Sequence, residues 1–418
     1  MIGKFEGISE VKRILILAAL DTKGVEARYL RDVIMARGAE PLLMDLSMRL
    51  VEGDSGADIA AEDVARSGGG TLRHISDSKQ MGVNMATMIS GSLKTAYGLV
   101  KEGKVHGVMG IGGYTGTYMA TAVMQGLPFG LPKVMVSSAA ALPGLCNRFL
   151  STSDILLFHS VIEISGLSDP VKNVLQRAAY AATAMVMGPV ASPTTDRDSA
   201  LAMTMLNTCE RCARAVRAAL MEQGYQVIGF HAAGIGDRVM EEMIAKGDFC
   251  GVIDLAPGGV GEHLYGYARD AGPDRLESAG RVGVPQIIST CGVNHVSPLK
   301  SRYKPEHRER RRYDLDRFRT WLRMSPEELR EVAGVFAEKL NRSLGPVKIV
   351  VPLKGWSSVD SPGSPTYDPE EDALFIRALE GRLKKEIEII RVPANMEDPE
   401  FADTVIRVAE EIFRRKEA

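Results

Sequence analysis

The chain reads as α/β, with two Rossmann-like doubly wound parallel-sheet domains related by duplication. Three observations predict this. Short apolar runs alternate with helix-period stretches along the whole chain. One run, within residues 105–122 (VHGVMGIGGYTGTYMATA), breaks into Gly110, Gly112 and Gly113 just before a helical pattern opens at Thr115, Gly116 and Thr117. The alternation also occurs twice with matching spacing. Asp21-Thr22 ends the first strand of one set and Asn207-Thr208 that of the other, and the second strand ends 24 residues later in each, at Asp45 and His231. Residues 131–137 (LPKVMVS) are echoed by 284–289 (VPQIIS). The alternative to duplication is the spacing common to all βαβ units.

In order, residues 13–20 predict a strand, 24–37 a helix and 41–45 a strand. An excursion over 46–104 carries Gly68-Gly69-Gly70 and a helical stretch from about 84 to 101, with Asn84 or Ser90 as candidate cap. A strand at 105–110, a helix from Thr117 and a strand at 133–137 follow. The second set has a strand at 201–206, a helix at 209–223, a strand at 225–231, a helix at 234–246 and a strand at 251–255. Further strands are predicted at 285–290, 347–353 and 386–392. The domains are expected at 1–190 and 199–418. The stretch between, 188–199 (GPVASPTTDRDS), is rich in Pro, Ser and Thr.

Composition narrows the function classes. At 418 residues, 45% hydrophobic and 25% charged, the chain resembles ordinary soluble protein. A net charge of −2 gives no global field to recruit nucleic acid or a membrane. The apolar run 14–20 is too short for a signal peptide and ends at Asp21; the stretch 178–191 is too short to span a bilayer. Five cysteines without scaffold spacing point to reduced thiols and a cytoplasmic location. Cys209-Glu-Arg-Cys212 is a lone CxxC with no second pair to complete a zinc site, so no metal is expected.

Ligands of open α/β sheets bind at the carboxyl ends of the strands. The first domain offers there Asp21-Thr22-Lys23-Gly24, Gly110 through Thr117, Ser137-Ser138 and Ser151-Thr152-Ser153-Asp154. A glycine turn opening a helix presents free N–H groups and the positive dipole end to an anion. The hydroxyls and acids can cradle phosphate or supply oxygen to Mg²⁺, although hydroxyls there also serve as helix caps. No GxxxxGK[ST] is present, and Thr115 stands where GxGxxG needs a third glycine, which disfavours a nicotinamide enzyme.

The second domain offers His231, Asp237, Asp254, Gly258-Gly259, Glu262-His263, Ser289-Thr290, Asn294-His295 and Asp360. His231 and His295 are read as acid–base or substrate-binding groups, with Asp254 orienting an imidazole or holding a cation. Structural histidines are the plainer alternative. No GxSxG elbow supports a serine triad. Residues 302–323 hold nine Lys or Arg against four acids, a clamp for anions or a solvated or subunit-bridging loop.

These motifs together resemble the family that contains the N-terminal ATP-binding domain of the tomato mosaic virus resistance protein and its uncharacterised bacterial and fungal homologues. The resemblance covers about 1–412 and is carried by ALDTKG (19–24), Gly110-Ile-Gly112-Gly113 with Gly116-Thr117, LPKVMVS (131–137), Thr152-Ser153-Asp154, Phe230-His231 and AGPDRLE (271–277). It implies two Rossmann-like domains, self-association, and nucleotide binding, with ATP as the nucleotide, in the first; Mg²⁺ is the cation the strand-end hydroxyls and acids could add. The ATP site is expected at Asp21, Thr22, Lys23, Gly112, Gly113, Thr115, Gly116, Thr117, Ser137, Ser153 and Asp154. A TIM-barrel protein is the partner it suggests; no established reaction comes with it. The substrate expected of an enzyme is a small phosphorylated or carboxylate metabolite at an interdomain cleft. A nucleotide sensor without turnover is the alternative. This chain departs from the family at Tyr114 and Thr115, where GGSGGT is usual, so a narrower cradle is expected. Ser151 stands where the family has glycine, and Asn294-His295-Val296 where it has Asp-Met-Val. These differences suggest a divergent branch.

Overall fold

The computed structural model describes residues 11–50, 53–189, 196–317 and 319–413. The chain divides into two compact units, Met1–Pro193 and Thr194–Ala418. Half of the proline-rich stretch 188–199 between the predicted domains, residues 190–195, lies outside the described residues, as does the start of the chain, 1–10.

In the first unit, β1 (Arg13–Ala18), β2 (Glu40–Asp45), β3 (Gly107–Gly112), β4 (Lys133–Ser137) and β5 (Leu156–His159) form one sheet ordered β2-β1-β3-β4-β5. Every pairing is parallel. The sequence of β1, RILILA, shows why both faces are covered. Ile14, Ile16 and Ala18 enter a core with helices Leu20–Met35 and Asp169–Met187. Leu15 and Leu17 enter another with Met81–Lys101 and Tyr114–Gln125. A strand apolar at every position after its first suits a sheet buried on both sides.

The second unit contains β6 (Ala200–Met205), β7 (Gln226–His231), β8 (Gly251–Asp254), β9 (Gln286–Ile288), β10 (His295–Val296), β11 (Arg312–Asp314), β12 (Thr320–Arg323), β13 (Val347–Pro352) and β14 (Glu388–Val392). Six of them make a parallel sheet ordered β14-β13-β9-β8-β6-β7. Read from its first strand outward, this repeats the order of the first sheet. Strands β10, β12 and β11 form a small antiparallel sheet.

The structure corrects several sequence readings. Strand β5 and the antiparallel sheet were not expected, because they are short and lack strong apolar alternation. Asn84 is not the N-cap of its helix: it lies inside Met81–Lys101, and its Nδ2 donates to the carbonyls of Ile75 and Ser78, at the end of the preceding helix Leu72–Asp77, at 3.0 and 3.3 Å. The basic run 302–323 is not simply a solvated loop. Arg310 makes a two-pronged bond to Glu328 at 2.7 and 3.0 Å, and Arg311 pairs with Asp368 and Glu371. Arg323 is buried on Asp372 at 2.6 Å.

Candidate functional site

The strand order of the first sheet reverses between β1 and β3, which opens a crevice at their carboxyl ends. A cavity of about 290 Å³ lies there. Asp21, Thr22 and Lys23 line it from one side and Gly112, Gly113, Thr115 and Gly116 from the other.

The first wall is set by a neighbouring strand. Buried Asp45, at the end of β2, accepts from the backbone N–H of Leu20 at 3.0 Å and of Ser47 at 2.9 Å. Ser47 Oγ in turn accepts from the N–H of Asp21 at 3.0 Å. The two side chains satisfy N–H groups that open the helix Leu20–Met35, in the manner of a cap supplied from outside the helix. The helix kinks at Lys23, whose φ of −125° is non-helical. Oδ1 of Asp21 is buried and has no hydrogen-bond partner. Lys23 Nζ donates to the carbonyl of Ile164 and lies 3.7 Å from Glu163.

The second wall depends on close backbone approach. A Cβ on Gly112 would stand 2.8 Å from the Cα of Gly116, so only glycine permits this turn. Gly113 differs: its φ of −82° is ordinary, and a Cβ there would meet only Ser138 Oγ, at 3.7 Å. Thr117 and Ser137 are both buried beneath the loop. Their hydroxyls lie 2.6 Å apart, and Ser137 Oγ accepts from the N–H of Ala139. They brace the loop and do not line the cavity.

Ser153 and Asp154 lie elsewhere. They precede β5, at the amino edge of the sheet, because the strand begins after them at Leu156. Asp154 holds the buried ammonium of Lys133 at 2.5 Å and accepts from Gly130 N–H at 2.8 Å, an ion pair at the start of β4. Tyr114 does not narrow the cradle. Half exposed at the start of its helix, it turns its ring toward Phe149, with centroids 6.2 Å apart. The remaining wall, from Leu46, Met48, Arg49, Ile75 and Met81, belongs to the excursion after β2. Arg49 is exposed and has no ion pair among the described residues. Sequence reasoning missed these residues because they follow β2 without a motif; the one signal was their position just past a strand end.

In the second unit the three proposed acid–base residues stand in different surroundings. Asp254 is committed to structure: it accepts from Arg275 Nη1 at 2.5 Å, Arg275 Nη2 at 2.8 Å and Thr204 Oγ1 at 2.8 Å. Arg275 is 1% exposed and also binds Asp237 at 2.9 Å and Glu241 at 3.4 Å. Burial pushes the carboxyls of Asp237 and Glu241 up, and Arg275 pulls them back toward ionisation. Asp254 therefore orients a guanidinium, not an imidazole.

His295 is fully buried, and neither ring nitrogen has a partner. Burial, then Arg323 and Arg269, hold its pKa well below the ordinary histidine value, so the ring is neutral. It lies on the antiparallel sheet, 5.9 Å from the Trp321 ring. His231, by contrast, is exposed at the end of β7 and lines a cavity. The role of the neighbouring Asn294 is plain from its contacts. Its Nδ2 donates to Asp360 at 2.8 Å and Asp372 at 3.0 Å, where a third carboxylate would be repelled. The buried thiols of Cys209 and Cys212 are pushed up, Cys209 chiefly by a hydrogen bond with Cys291 and Cys212 chiefly by burial.

Fold and site together define a two-domain α/β protein with a ligand-sized cavity at a strand-order reversal. The chain belongs to the uncharacterised protein family UPF0261: its N-terminal domain matches residues 12–191 and its C-terminal domain 198–413. A UPF0261 protein of Clostridium tetani is 33% identical over 394 residues, 94% of this chain and 96% of that protein. One from Rhizobium meliloti is 32% identical over 96% of this chain and 99% of its own length. The ToMV resistance protein Tm-1 of Solanum lycopersicum is 28% identical across 95% of this chain, which spans 55% of that protein. Among solved structures, UDP-N-acetylglucosamine 2-epimerase from Rickettsia bellii aligns at 8% identity over 97% of both chains, with a TM-score of 0.22.

Proposed function

We propose that the protein binds a nucleotide, with ATP and Mg²⁺ as the ligand pair, at the carboxyl edge of the first sheet. The observation that carries this reading is a single cavity lined by both a glycine loop opening a helix and a buried, unpartnered carboxylate oxygen. The N–H groups at the start of the helix Tyr114–Gln125 suit a phosphate. Lys23 adds one positive charge and Arg49 another. Asp21 by itself would repel phosphate, so its free oxygen suits a cation held between the two. Among the described residues no three His, Cys, Asp or Glu side chains could hold a metal. A cation here would take its other ligands from phosphate and water. Met48, Ile75 and Met81 offer the apolar surface a base would rest on.

Binding without turnover is the reading favoured within this proposal. Asp254 is committed to Arg275 and Thr204 and His295 is fully buried, which supports this reading over the three-residue acid–base site expected of an enzyme. The protein is then a cytoplasmic, self-associating nucleotide sensor that acts through a partner such as a TIM-barrel protein. Gly113→Val tests the site, because the backbone there tolerates a side chain that would enter the cavity. We expect ATP with Mg²⁺ to raise the melting temperature of the unsubstituted protein and to leave that of the variant unmoved. Equal affinity in the variant, measured by calorimetry, refutes the site. Steady consumption of ATP by the purified protein refutes the sensor reading alone.

A further inference from the structure

A separate cavity of about 180 Å³ opens at the carboxyl ends of β6 and β7 in the second unit. Asn207, just past β6, and His231, at the end of β7, line it on one side, and Ser297, Arg319 and Trp321, in or next to the antiparallel strands, on the other. Its deepest cation is Arg269, whose side chain is 11% exposed. The guanidinium is held rigidly. Nε and Nη2 donate to Glu262 Oε1 at 3.0 and 2.8 Å, Nε to Ser297 Oγ at 3.2 Å and Nη2 to the carbonyl of His295 at 3.3 Å. Glu262 is itself fully buried. Nη1 takes no part in these bonds. The guanidinium carbon lies 5.1 Å from the centre of the Trp321 ring. Arg319, exposed and paired with Asp316 at 2.7 Å, is a second cation on the wall. Leu206, Leu299 and Leu315 make much of the rest apolar.

We propose that this cavity binds a small organic carboxylate. Its acid group meets Nη1 of Arg269, and its apolar body lies on Trp321. Three features select this class. A donor locked by a buried acid loses little freedom on binding. A guanidinium beside an aromatic ring suits a planar anion. Apolar walls with one fixed cation disfavour a bare phosphate, which wants several donors. The volume is below the roughly 300–1,000 Å³ of sites for drug-sized ligands, so the occupant is metabolite-sized. This site belongs wholly to the second unit and does not depend on the nucleotide cavity.

The chain has two tryptophans, Trp321 and Trp356. Trp356 is buried against Phe375, so tryptophan fluorescence can report on the cavity. The probes are benzoate, its neutral analogue benzamide, and inorganic phosphate, titrated into the full chain. Benzoate is expected to change the fluorescence saturably, and Trp321→Phe to abolish that change. Benzamide should bind at least about tenfold more weakly, the effect of losing one charge-assisted hydrogen bond. Arg269→Gln should lose benzoate binding, but it also leaves Glu262 buried without its cation. Arg319→Gln, at an exposed residue, provides the folded control and should weaken benzoate by about two- to fivefold. Equal binding of benzoate and benzamide overturns the proposal. So does tighter binding of phosphate than of benzoate, or no saturable response to benzoate up to tens of millimolar.

Discussion

Replacing Arg275 by leucine tests whether Asp254 belongs to structure or to chemistry. The guanidinium is buried and touches three carboxylates, those of Asp254, Asp237 and Glu241. Removing it leaves acids that keep only their neutral partners: Thr204 for Asp254, Gly234 N–H for Asp237, and the N–H groups of Leu276 and Ser278 for Glu241. Breaking a buried ion pair costs about 3–5 kcal/mol. A second route gives the same size. One acid kept protonated in the fold at pH 7, against an unfolded pKa of about 4, costs about 4 kcal/mol. Such an acid has a folded pKa above its unfolded one, so its stabilising effect is complete below the unfolded value and is lost as pH rises through the folded value. The variant's deficit should therefore shrink by about 2.7 kcal/mol between pH 7 and pH 5 for each proton so held. Urea unfolding followed by tryptophan fluorescence reads this directly, because Trp321 and Trp356 both lie in the second unit. A deficit under about 1 kcal/mol at pH 7, or equal deficits at the two pH values, refutes this reasoning.

Two further outcomes follow from local geometry. Ser151 has φ 44° and ψ −125°, a conformation that glycine adopts freely and other residues rarely do. Ser151→Gly should therefore stabilise the protein by about 1 kcal/mol, seen as a higher melting temperature; a lower one contradicts the strain. Of the five cysteines only Cys146 is exposed, while Cys209, Cys212 and Cys291 are buried. A thiol-specific chromogenic reagent should find one fast-reacting group in the native protein and all five in urea. Rapid reaction of more than two native thiols contradicts the packing.

The parallel sheets were legible because their central strands are apolar at nearly every position, a pattern that fits a strand covered on both faces and little else of that length. The glycine loop was legible because a turn that tight excludes side chains at Gly112. Position relative to a strand was harder to read. Ser153 and Asp154 look like strand-end residues until β5 is placed, and β5 is only four residues long with partly exposed side chains. The same weakness hid the antiparallel sheet and with it Arg269 and Trp321, which depend on contacts between segments far apart in sequence. The acids of the second unit misled for another reason. Sequence shows that Asp254 ends a strand, but not that Arg275, 21 residues later, returns to neutralise it.

The cavity at the carboxyl edge of the first sheet has two kinds of wall, and they can change independently. The loop at Gly112 and the turn at Asp21 are tied to the central strands, so altering them disturbs the sheet itself. The opposite wall comes from the excursion after β2, where Met48 is half-buried, Met81 is exposed, and Asn84 holds the segment by its own carbonyls. The lining from that excursion can therefore vary while the glycine loop and the turn at Asp21 are kept. Relatives would be expected to diverge first between residues 46 and 84, and grafting that stretch between them would change the cavity without rebuilding the fold.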